Sequence, residues 1–411
     1  MRIIIIGGGA AGYFAAVNLA ENAPEAEVLI LEQSPQVLGK VKISGGGRCN
    51  VTHACFEPRE LVKHYPRGGK ALLGPFHRFM TGDTMGWFED RGVALKIEDD
   101  GRVFPVSDDS QTIIDCLTQS AQRAGVHLRT RAKVLGLRPP TEAEPRWQVR
   151  LKGETLLADR VLLASGSNPA TWRWLAELGH RIVAPVPSLF TFNVADERIA
   201  PLPGLSVPEA EVQVLGQKAL QSQGPLLVTH WGLSGPGVLR LSAWGARDLH
   251  ALGYDFQLQV NWQAGRRVED WLSQWQQLRQ QQPKRQVAAQ PQGHLPSRLW
   301  QRLVDRAGIG PEQRWAELTK TQGQRLAEEL AQGRYAVQGK STFKDEFVTA
   351  GGVDLDEVNF KTMESKRHPG LYFAGEVLDL DAITGGFNFQ AAWTTGWIAA
   401  QALGWGRGEG K

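Results

Sequence analysis

The sequence is poor in cysteine, in long apolar runs and in excess charge of either sign. Its three cysteines, Cys49, Cys55 and Cys116, are too few and too scattered for a disulfide framework, and no CxxC pair or Cys/His cluster has zinc spacing. Lys and Arg number 46 against 43 Asp and Glu, without a basic block, so no nucleic-acid partner is expected. No stretch approaches the roughly 20 apolar residues of a membrane span, and the apolar run at the start is too short for a signal peptide. These absences predict a cytoplasmic protein without metal and without membrane contact.

The N-terminal region has the pattern of a strand, a helix and a second strand. Residues 3–6 are four isoleucines that run into glycine, which is typical of a buried parallel strand. A glycine-rich turn, helical spacing as far as Pro24 and a second apolar run over 27–31 follow. This order predicts a βαβ unit and therefore an α/β fold of the Rossmann type.

Composition changes twice along the rest of the chain. After Pro185 and Pro187, short strand-like runs alternate with glycine and proline turns, whereas 262–332 is rich in Gln, Arg, Leu and Trp. At roughly 150 residues per domain, 411 residues suffice for two or three domains. We predict a Rossmann-like domain from 1–187 and 350–411, a β-rich inserted domain from 188–260 and 334–349, and a helical domain over 261–333. The tryptophans of the helical segment are predicted as core residues rather than cofactor contacts: Trp262, Trp271, Trp275, Trp300 and Trp315.

A dinucleotide fingerprint occupies the first turn. Gly7-x-Gly9-x-x-Gly12 follows a strand and opens a helix, where glycines permit a tight turn, close approach of a pyrophosphate and close packing of helix on strand. Glu32 lies 20 positions after Gly12, at the end of the second strand, where a carboxylate accepts hydrogen bonds from a ribose diol. An acid there disfavours a 2′-phosphate, so the pattern predicts FAD or NAD rather than NADP.

A second cradle near the C-terminus decides between these two. A strand that ends at Gly375-Glu376 places a carboxylate where ribityl hydroxyls would lie, and Gly385-Gly386 opens another helix. The start of that helix can stabilise the negative charge of a reduced flavin. Two cradles at opposite ends of the chain suit a long ligand with two distant polar regions, so the sequence predicts FAD, with NAD(P)H left open as a transient electron donor.

Several stretches together resemble a known family. These are the fingerprint with Glu32, "SGGGRCNVTH" at 44–53, "THWGLSGPGVL" at 229–239, "VTAGGV" at 348–353, and "TMESK" through "GLYFAGEVLDLDAITGGFNFQAA" at 362–392. They look like the bacterial flavoproteins that include aminoacetone oxidase and a 3-dehydro-bile-acid reductase. The resemblance spans nearly the whole chain and implies an FAD domain of the two-dinucleotide-binding type, built from both termini, with a β-barrel-like domain and a nested helical domain inserted.

The resemblance also implies a set of contacts. It places 45–50 alongside the flavin and Val134 beside the adenine. The family commonly has two adjacent basic residues after Gly39, whereas here Lys40 and Lys42 are separated, which leaves open which lysine faces the cofactor. The predicted cofactor-binding residues are Gly7, Gly9, Ala10, Ala11, Gly12, Glu32, Gln33, Lys40, Lys42, Gly45, Gly46, Gly47, Arg48, Cys49, Asn50, Val134, Ala164, Ser165, Gly166, Gly375, Glu376, Gly385, Gly386, Phe387 and Asn388.

No side chain stands out as an acid–base catalyst, which is consistent with flavin chemistry. The candidates for substrate contact or catalysis are Arg48, Asn50, His230 and Ser234. Some residues have competing interpretations: Arg48 is a donor to an anion or a structural residue, and Cys49 is a redox thiol or, as we favour, a buried apolar residue. His53 is expected to pack or cap. The glycine-rich stretch at 232–237 is expected to be a turn of the β-rich domain rather than a second nucleotide loop.

The predicted function is an FAD-dependent oxidoreductase, oxidase or reductase, that transfers a hydride between flavin N5 and a small organic substrate. Two alternatives stay open. One is a flavin-bearing redox sensor or assembly protein without turnover, and the other is an RNA-modifying flavoenzyme, which the near-neutral charge and the lack of a basic stripe disfavour. The sequence does not indicate an oligomeric state.

Overall fold

The computed structural model describes residues 1–341 and 348–404 and divides them into two compact units. The first unit holds residues 1–186 and the C-terminal segment from 348, and the second holds residues 187–341. The predicted ranges 334–349 and 350–411 extend into 342–347 and 405–411, which lie outside the described residues. The predicted domain boundaries stay predictions.

The helices of the described residues are listed here in chain order. They are α1 (Ala10–Asn22), α2 (Gly39–Gly47), α3 (Pro58–Leu61), α4 (Gly69–Phe76), α5 (Thr81–Glu89), α6 (Gln111–Arg123), α7 (Pro169–Glu177), α8 (Pro236–Trp244), α9 (Ala246–Ala251), α10 (Val268–Gln281), α11 (Ser297–Arg306), α12 (Lys320–Gln332) and α13 (Phe387–Gly404). Short 3-10 helices occupy Val62–His64, Trp315–Glu317, Leu355–Glu357 and Gly375–Val377. Across the described ranges, none of the helices combines the length and the apolar character needed to cross a membrane.

The strands follow the same order. They are β1 (Arg2–Ile6), β2 (Glu27–Leu31), β3 (Thr52–His53), β4 (Leu95–Ile97), β5 (Arg102–Pro105), β6 (His127–Arg129), β7 (Gly136–Arg138), β8 (Trp147–Arg150), β9 (Thr155–Ala158), β10 (Arg160–Leu163), β11 (Ile182–Ser188), β12 (Thr191–Asn193), β13 (Ser206–Val214), β14 (Gln221–Thr229), β15 (Gly232–Ser234), β16 (Asp255–Asn261), β17 (Gly333–Gln338), β18 (Lys340–Ser341), β19 (Val348–Val353), β20 (Val358–Asn359), β21 (Glu364–Ser365) and β22 (Leu371–Phe373).

The first unit is built on a sheet in the order β20-β21-β22-β10-β1-β2-β6. The five strands from β22 to β6 are parallel, and β1 lies between β10 and β2. Four isoleucines make β1 apolar on both faces, as burial on both sides of a parallel sheet requires. Helices α1 and α13, from opposite ends of the chain, pack against each other beside this sheet: a Cβ on Gly396 of α13 would lie 2.9 Å from the Ala11 carbonyl oxygen. The predicted α/β fold with a Rossmann domain is therefore confirmed.

The second unit is built on an antiparallel sheet in the order β17-β16-β13-β14-β15-β12-β18. Helices α10, α11 and α12 lie in the connection between the neighbouring strands β16 and β17. Strands and helices share one buried cluster, which includes all five tryptophans of the helical segment, each no more than 3% exposed. The prediction that these tryptophans are core residues is confirmed.

The stretch at 232–237 differs from the expected turn between strands. Residues 232–234 form strand β15, which pairs with β12 and β14, and helix α8 begins directly at Pro236. Proline fits the first position of a helix because that position needs no N–H donor. The prediction of a turn over 232–237 is therefore wrong, because the stretch consists of a short strand that leads directly into a helix.

Candidate functional site

The carboxyl ends of four parallel strands define one edge of the first unit. Ile6 of β1 is level with Leu31 of β2 and with Leu163 of β10, and Leu163 is level with Phe373 of β22. The residues that follow these strands therefore come together, although 367 positions separate Ile6 from Phe373 in the chain. Ligands of open α/β sheets bind outside this edge.

The first glycine-rich turn lies at this edge and leads into α1. Gly9 caps α1 with extended backbone, and a Cβ added to it would meet no atom of the described residues within 4 Å. The open side of Gly9 therefore faces free space, next to the unsatisfied N–H groups of a helix start. The predicted residues Ala10 and Ala11 form the first two positions of α1.

Backbone donors hold the Glu32 side chain beside this turn. Its carboxylate accepts the N–H of Gly8 and the N–H of Ser34, each at 2.8 Å. Each carboxylate oxygen keeps further capacity to accept hydrogen bonds. The structure thus brings Glu32 to the glycine-rich turn, with an orientation that the backbone fixes. The predicted neighbour Gln33 is exposed.

The tail of the chain meets the head at the same edge. A Cβ on Gly375 would lie 3.1 Å from the Cβ of Ala11, so the turn after β22 packs on the start of α1. The next residue, Glu376, forms an ion pair with Lys40, in which the Lys40 Nζ lies 2.6 Å from a carboxylate oxygen of Glu376. Lys40 therefore reaches this edge through its ammonium group, and both Lys40 and Lys42 are exposed.

The end of β10 adds a third segment. Ala164 follows β10, and its N–H donates to the Ile6 carbonyl at 2.9 Å. A Cβ on Gly166 would lie 3.7 Å from a carboxylate oxygen of Glu376. The Ser165 hydroxyl is buried and has no hydrogen-bond partner within the described part of the chain. Buried polar groups are normally paired, so this hydroxyl is available to a polar ligand atom at this edge.

The triple-glycine stretch breaks its own helix. Within α2 the backbone leaves helical geometry at Ser44, Gly45 and Gly46. A Cβ on Gly46 or on Gly47 would meet nothing within 4 Å among the described residues, and both have positive φ, +70° and +87°. The loop therefore presents bare backbone to open space, which is the property expected of a wall for a flat cofactor.

The same stretch is bound to the start of α13. In the orientation that satisfies both ends of its amide, Asn50 accepts the N–H of Gly386 and donates to the Thr52 carbonyl, each at 2.9 Å. Gly386 has φ +94°, and a Cβ there would lie 2.5 Å from backbone atoms of Thr52. The indole of Trp393 donates to the Val51 carbonyl at 2.9 Å. The triple-glycine loop and the glycine pair of the tail are thus parts of one site.

Arg48 and Cys49 are engaged by the protein itself. The Arg48 guanidinium donates to Glu98 at 2.6 Å and to Asp108 at 3.3 Å, and it lies over the Phe104 ring. These contacts favour the structural interpretation of Arg48. Cys49 is fully buried, and burial raises the pKa of its thiol to about 12, so the reactive thiolate does not form near neutral pH.

One segment that sequence reasoning missed supports the glycine pair of the tail. The Phe387 ring stacks on the imidazoles of both His53 and His64, and the Tyr65 hydroxyl donates to the Phe387 carbonyl at 2.6 Å. Arg67 forms an almost fully buried ion pair with Asp381. No spacing signal connects these residues, because more than 300 positions separate the partners.

The remaining candidates differ in setting. Val134 is buried, and Asn388 exchanges hydrogen bonds with both backbone groups of Ala382. His53 donates through Nδ1 to the Gly385 carbonyl, 3.1 Å away, and burial lowers the pKa of its imidazole. His230 and Ser234 belong to the second unit, where His230 is exposed and Ser234 ends β15.

Comparison with known proteins agrees with this fold. A family described as "HI0933-like protein Rossmann domain" matches residues 1–402. The chain is 30% identical to a ribosomal RNA dihydrouridine synthase of Escherichia coli strain K12, over 97% of each chain, and 28% identical to a 3-dehydro-bile acid delta(4,6)-reductase of Clostridium scindens, over 98% of each. A solved 3-ketosteroid-delta4-(5alpha)-dehydrogenase from Rhodococcus jostii RHA1 shares the fold, with a TM-score of 0.51, 13% identity and coverage of 98% of this chain and 96% of that one.

The fold, the site and these relatives define the class of protein, and the predicted class is confirmed: the chain is an oxidoreductase with a Rossmann domain of the FAD type. It belongs to the HI0933-like Rossmann family, which confirms the resemblance drawn from the sequence.

Proposed function

We propose that the first unit binds one extended FAD molecule along the edge where head and tail meet. The N–H groups at the start of α1 would hold the pyrophosphate, and Glu32 would hold the adenosine ribose. The isoalloxazine would lie between the loop at 45–47 and the start of α13. The observation that carries this proposal is the contact between the two cradles, because Gly375 packs directly on Ala11. Asn50 bonds the triple-glycine stretch to Gly386 of the tail as well.

The protein's own groups fit such a ligand. Open backbone surface lies at Gly9, Gly46 and Gly47. The buried Ser165 hydroxyl, which has no partner among the described residues, lies just after the end of β10. Bound FAD supplies a hydride donor and acceptor at N5. Helix α13 has 18 residues, and its positive end would favour a negative charge on the ring, by about 0.3–1 kcal/mol or more where solvent is excluded.

We further propose that the substrate carries a C=C bond conjugated to a carbonyl. Two relatives similar over nearly their whole length are named for such reductions: uridine to dihydrouridine, and a delta(4,6) reduction of a 3-dehydro-bile acid. For such a substrate, a hydride from bound FAD would add to the carbon remote from the carbonyl and a proton to the adjacent carbon, so the C=C bond would be reduced while the flavin would be oxidised. NAD(P)H is the proposed reductant that restores the flavin. The cytoplasm is the proposed location, because the three cysteines are free thiols.

Two measurements test this proposal. The purified protein should be yellow and should release FAD on denaturation; a colourless protein that cannot be reconstituted would contradict FAD binding. The photoreduced protein is then mixed without oxygen with a steroid 4-en-3-one, with a saturated 3-ketosteroid as the control. We expect flavin reoxidation and a product with two added hydrogens only with the enone. Equal rates of flavin reoxidation with both ketones would refute the proposed chemistry. The absence of reoxidation with either ketone and with uridine in RNA would refute it as well.

A matched pair of variants tests the role of Glu32. Glu32→Ala should weaken FAD binding by about tenfold or more, since hydrogen bonds to charged groups contribute roughly 1.5–3 kcal/mol. Glu25→Ala removes an exposed acid of the same unit and should leave the affinity unchanged. Equal FAD affinity in both variants would place the adenosine ribose elsewhere.

A further inference from the structure

The near-neutral charge of the whole chain conceals a local bias. Between residues 271 and 304 the sequence contains no Asp or Glu, although acids make up 43 of 411 residues overall. The helical segment 262–332 carries eleven Lys and Arg against seven Asp and Glu, and nine of the eleven are Arg. The excess positive charge of the protein is therefore concentrated in the connection between β16 and β17.

The structure gathers part of this charge at one end of the α10 and α12 pair. The indole of Trp275 in α10 donates to the Gly323 carbonyl in the first turn of α12, at 3.1 Å, so the second half of α10 begins near the start of α12. The chain after α10 pairs with the stretch around 314: the Trp315 N–H donates to the Arg285 carbonyl at 3.0 Å. We call this surface the basic end; it comprises Arg279, Lys284, Arg285, Arg314 and Lys320.

The charges of the basic end are not neutralised within the protein. All five side chains are exposed, and none forms an ion pair or a side-chain hydrogen bond with the described residues. Two acids lie in the same region, Glu312 and Glu317. The Glu317 carboxylate accepts the N–H of Arg314 at 2.9 Å and keeps its charge, so five cations stand against two acids. An excess of exposed guanidinium and ammonium groups thus faces solvent.

The chemistry around these charges favours a polyanion with sugar and base groups over a membrane. Gln276 and Gln280 lie on the exposed face of α10 within one turn of Arg279, and Gln286 lies opposite Arg314 in an antiparallel bridge. Amides of this kind bond to sugar hydroxyls and base edges. In the described part of 262–332 there is no large apolar side chain exposed that could anchor in lipid.

We propose that the basic end binds the phosphate backbone of a structured RNA, and that the reducible uridine of the proposed reaction is presented in such an RNA. The presentation of this uridine rests on the proposed function, whereas RNA binding by the basic end does not. Arg suits this role because its planar fork donates two parallel hydrogen bonds to one phosphate. A relative with 30% identity is named for action on ribosomal RNA, which makes ribosomal RNA the probe of choice.

The test uses the full-length, flavin-loaded protein and an unmodified transcript of bacterial large-subunit ribosomal RNA. Binding is measured between about 50 and 200 mM salt, the range over which counterion release changes affinity strongly. The variant carries Arg279→Gln, Arg285→Gln and Arg314→Gln. The matched control carries Arg138→Gln, Lys152→Gln and Arg173→Gln, which remove the same charge from exposed positions of the first unit.

We expect the slope of log affinity against log salt to fall by about 2 in the basic-end variant, since each single-strand phosphate contact contributes about 0.7. Affinity near 0.1 M salt should fall on the order of tenfold to a hundredfold. The control should bind as the wild type does. FAD content and reduction of the steroid enone should be unchanged in both variants, which excludes misfolding.

Three results would overturn the inference: no RNA binding by the wild type, equal weakening in both variants, or an unchanged salt slope in the basic-end variant. If the enone is reduced while RNA binding is absent, the proposed reduction stands and the RNA surface falls. If RNA is bound through the basic end but neither uridine nor the enone is reduced, the surface stands and the proposed reaction falls.

Discussion

Gly9→Ala tests whether glycine is needed at position 9 for ligand binding or for folding. A Cβ at Gly9 would meet no described atom within 4 Å, and the backbone there has φ −91°, which alanine adopts freely. The protein alone therefore gives no steric reason for glycine at this position. If the FAD pyrophosphate approaches the backbone at Gly9, the added methyl group would occupy the space that the phosphate needs.

The two effects have different magnitudes. Without cofactor, the variant should lose at most about 1 kcal/mol of unfolding free energy, because alanine caps a helix somewhat less well than glycine does. In the complex, a methyl group forced into a close-packed contact costs roughly 1–3 kcal/mol. Since 1.4 kcal/mol is tenfold in affinity, FAD binding should weaken by about fivefold to more than a hundredfold.

The assay pairs urea unfolding of the flavin-free protein with FAD titration followed by flavin fluorescence. Gly310→Ala is the control, because Gly310 also has open space around its missing Cβ but lies in the second unit. It should change neither quantity by more than about 0.5 kcal/mol. Normal FAD affinity in Gly9→Ala would refute our placement of the pyrophosphate, and a large loss of stability in the flavin-free protein would refute the steric reasoning.

Three further predictions concern the support of the site. Gly386→Ala should cost about 2–4 kcal/mol of unfolding free energy, because alanine at φ +94° is strained and its Cβ would press on the Thr52 backbone; urea unfolding measures this loss, and a change below about 1 kcal/mol would contradict it. Burial lowers the pKa of His180, so the unfolded chain takes up a proton that the folded chain resists as the pH falls below about 6.5, and the unfolding free energy should decrease there. Between pH 7.5 and 5.5, the unfolding free energy of His180→Gln should decrease less than that of the wild type. An equal decrease in both proteins would assign the pH dependence to other groups. In the native protein a thiol reagent should modify the partly exposed Cys55 first and Cys49 only on unfolding, and Cys49→Ser should keep its FAD; rapid modification of Cys49 would refute its burial.

Local patterns predict the parts of the fold that depend on local chemistry. The apolar runs at 3–6 and 27–31 correspond to β1 and β2, because parallel strands buried on both faces must be continuous apolar runs. The glycine pair before Phe387 correctly predicts where α13 begins. The union of head and tail also follows from sequence, since two cradles for one ligand must lie together.

Contacts without a local signal were out of reach. Arg67 and Asp381 are 314 positions apart, and neither a periodic pattern nor a motif marks them as partners. The engagement of Arg48 by Glu98 and Asp108 was equally hidden, because an arginine in a glycine-rich loop has the same sequence context whether it binds phosphate or carboxylate. Near-neutral composition likewise masked the basic end, because net charge averages over surfaces that a partner would meet separately.

The position of α13 determines when a cofactor site can exist. Its buried face fills the space beside α1, and Gln390, Trp393 and Thr395 bond to the head of the chain or to the turn at Gly375. The N-terminal fingerprint therefore lacks one wall until residues near 390 have been synthesised and the long connection through the second unit has closed. Closing a loop of some hundreds of residues costs only about 0.6 kcal/mol more for each doubling of its length. An insertion as large as the second unit thus adds little entropic cost to assembly of the site.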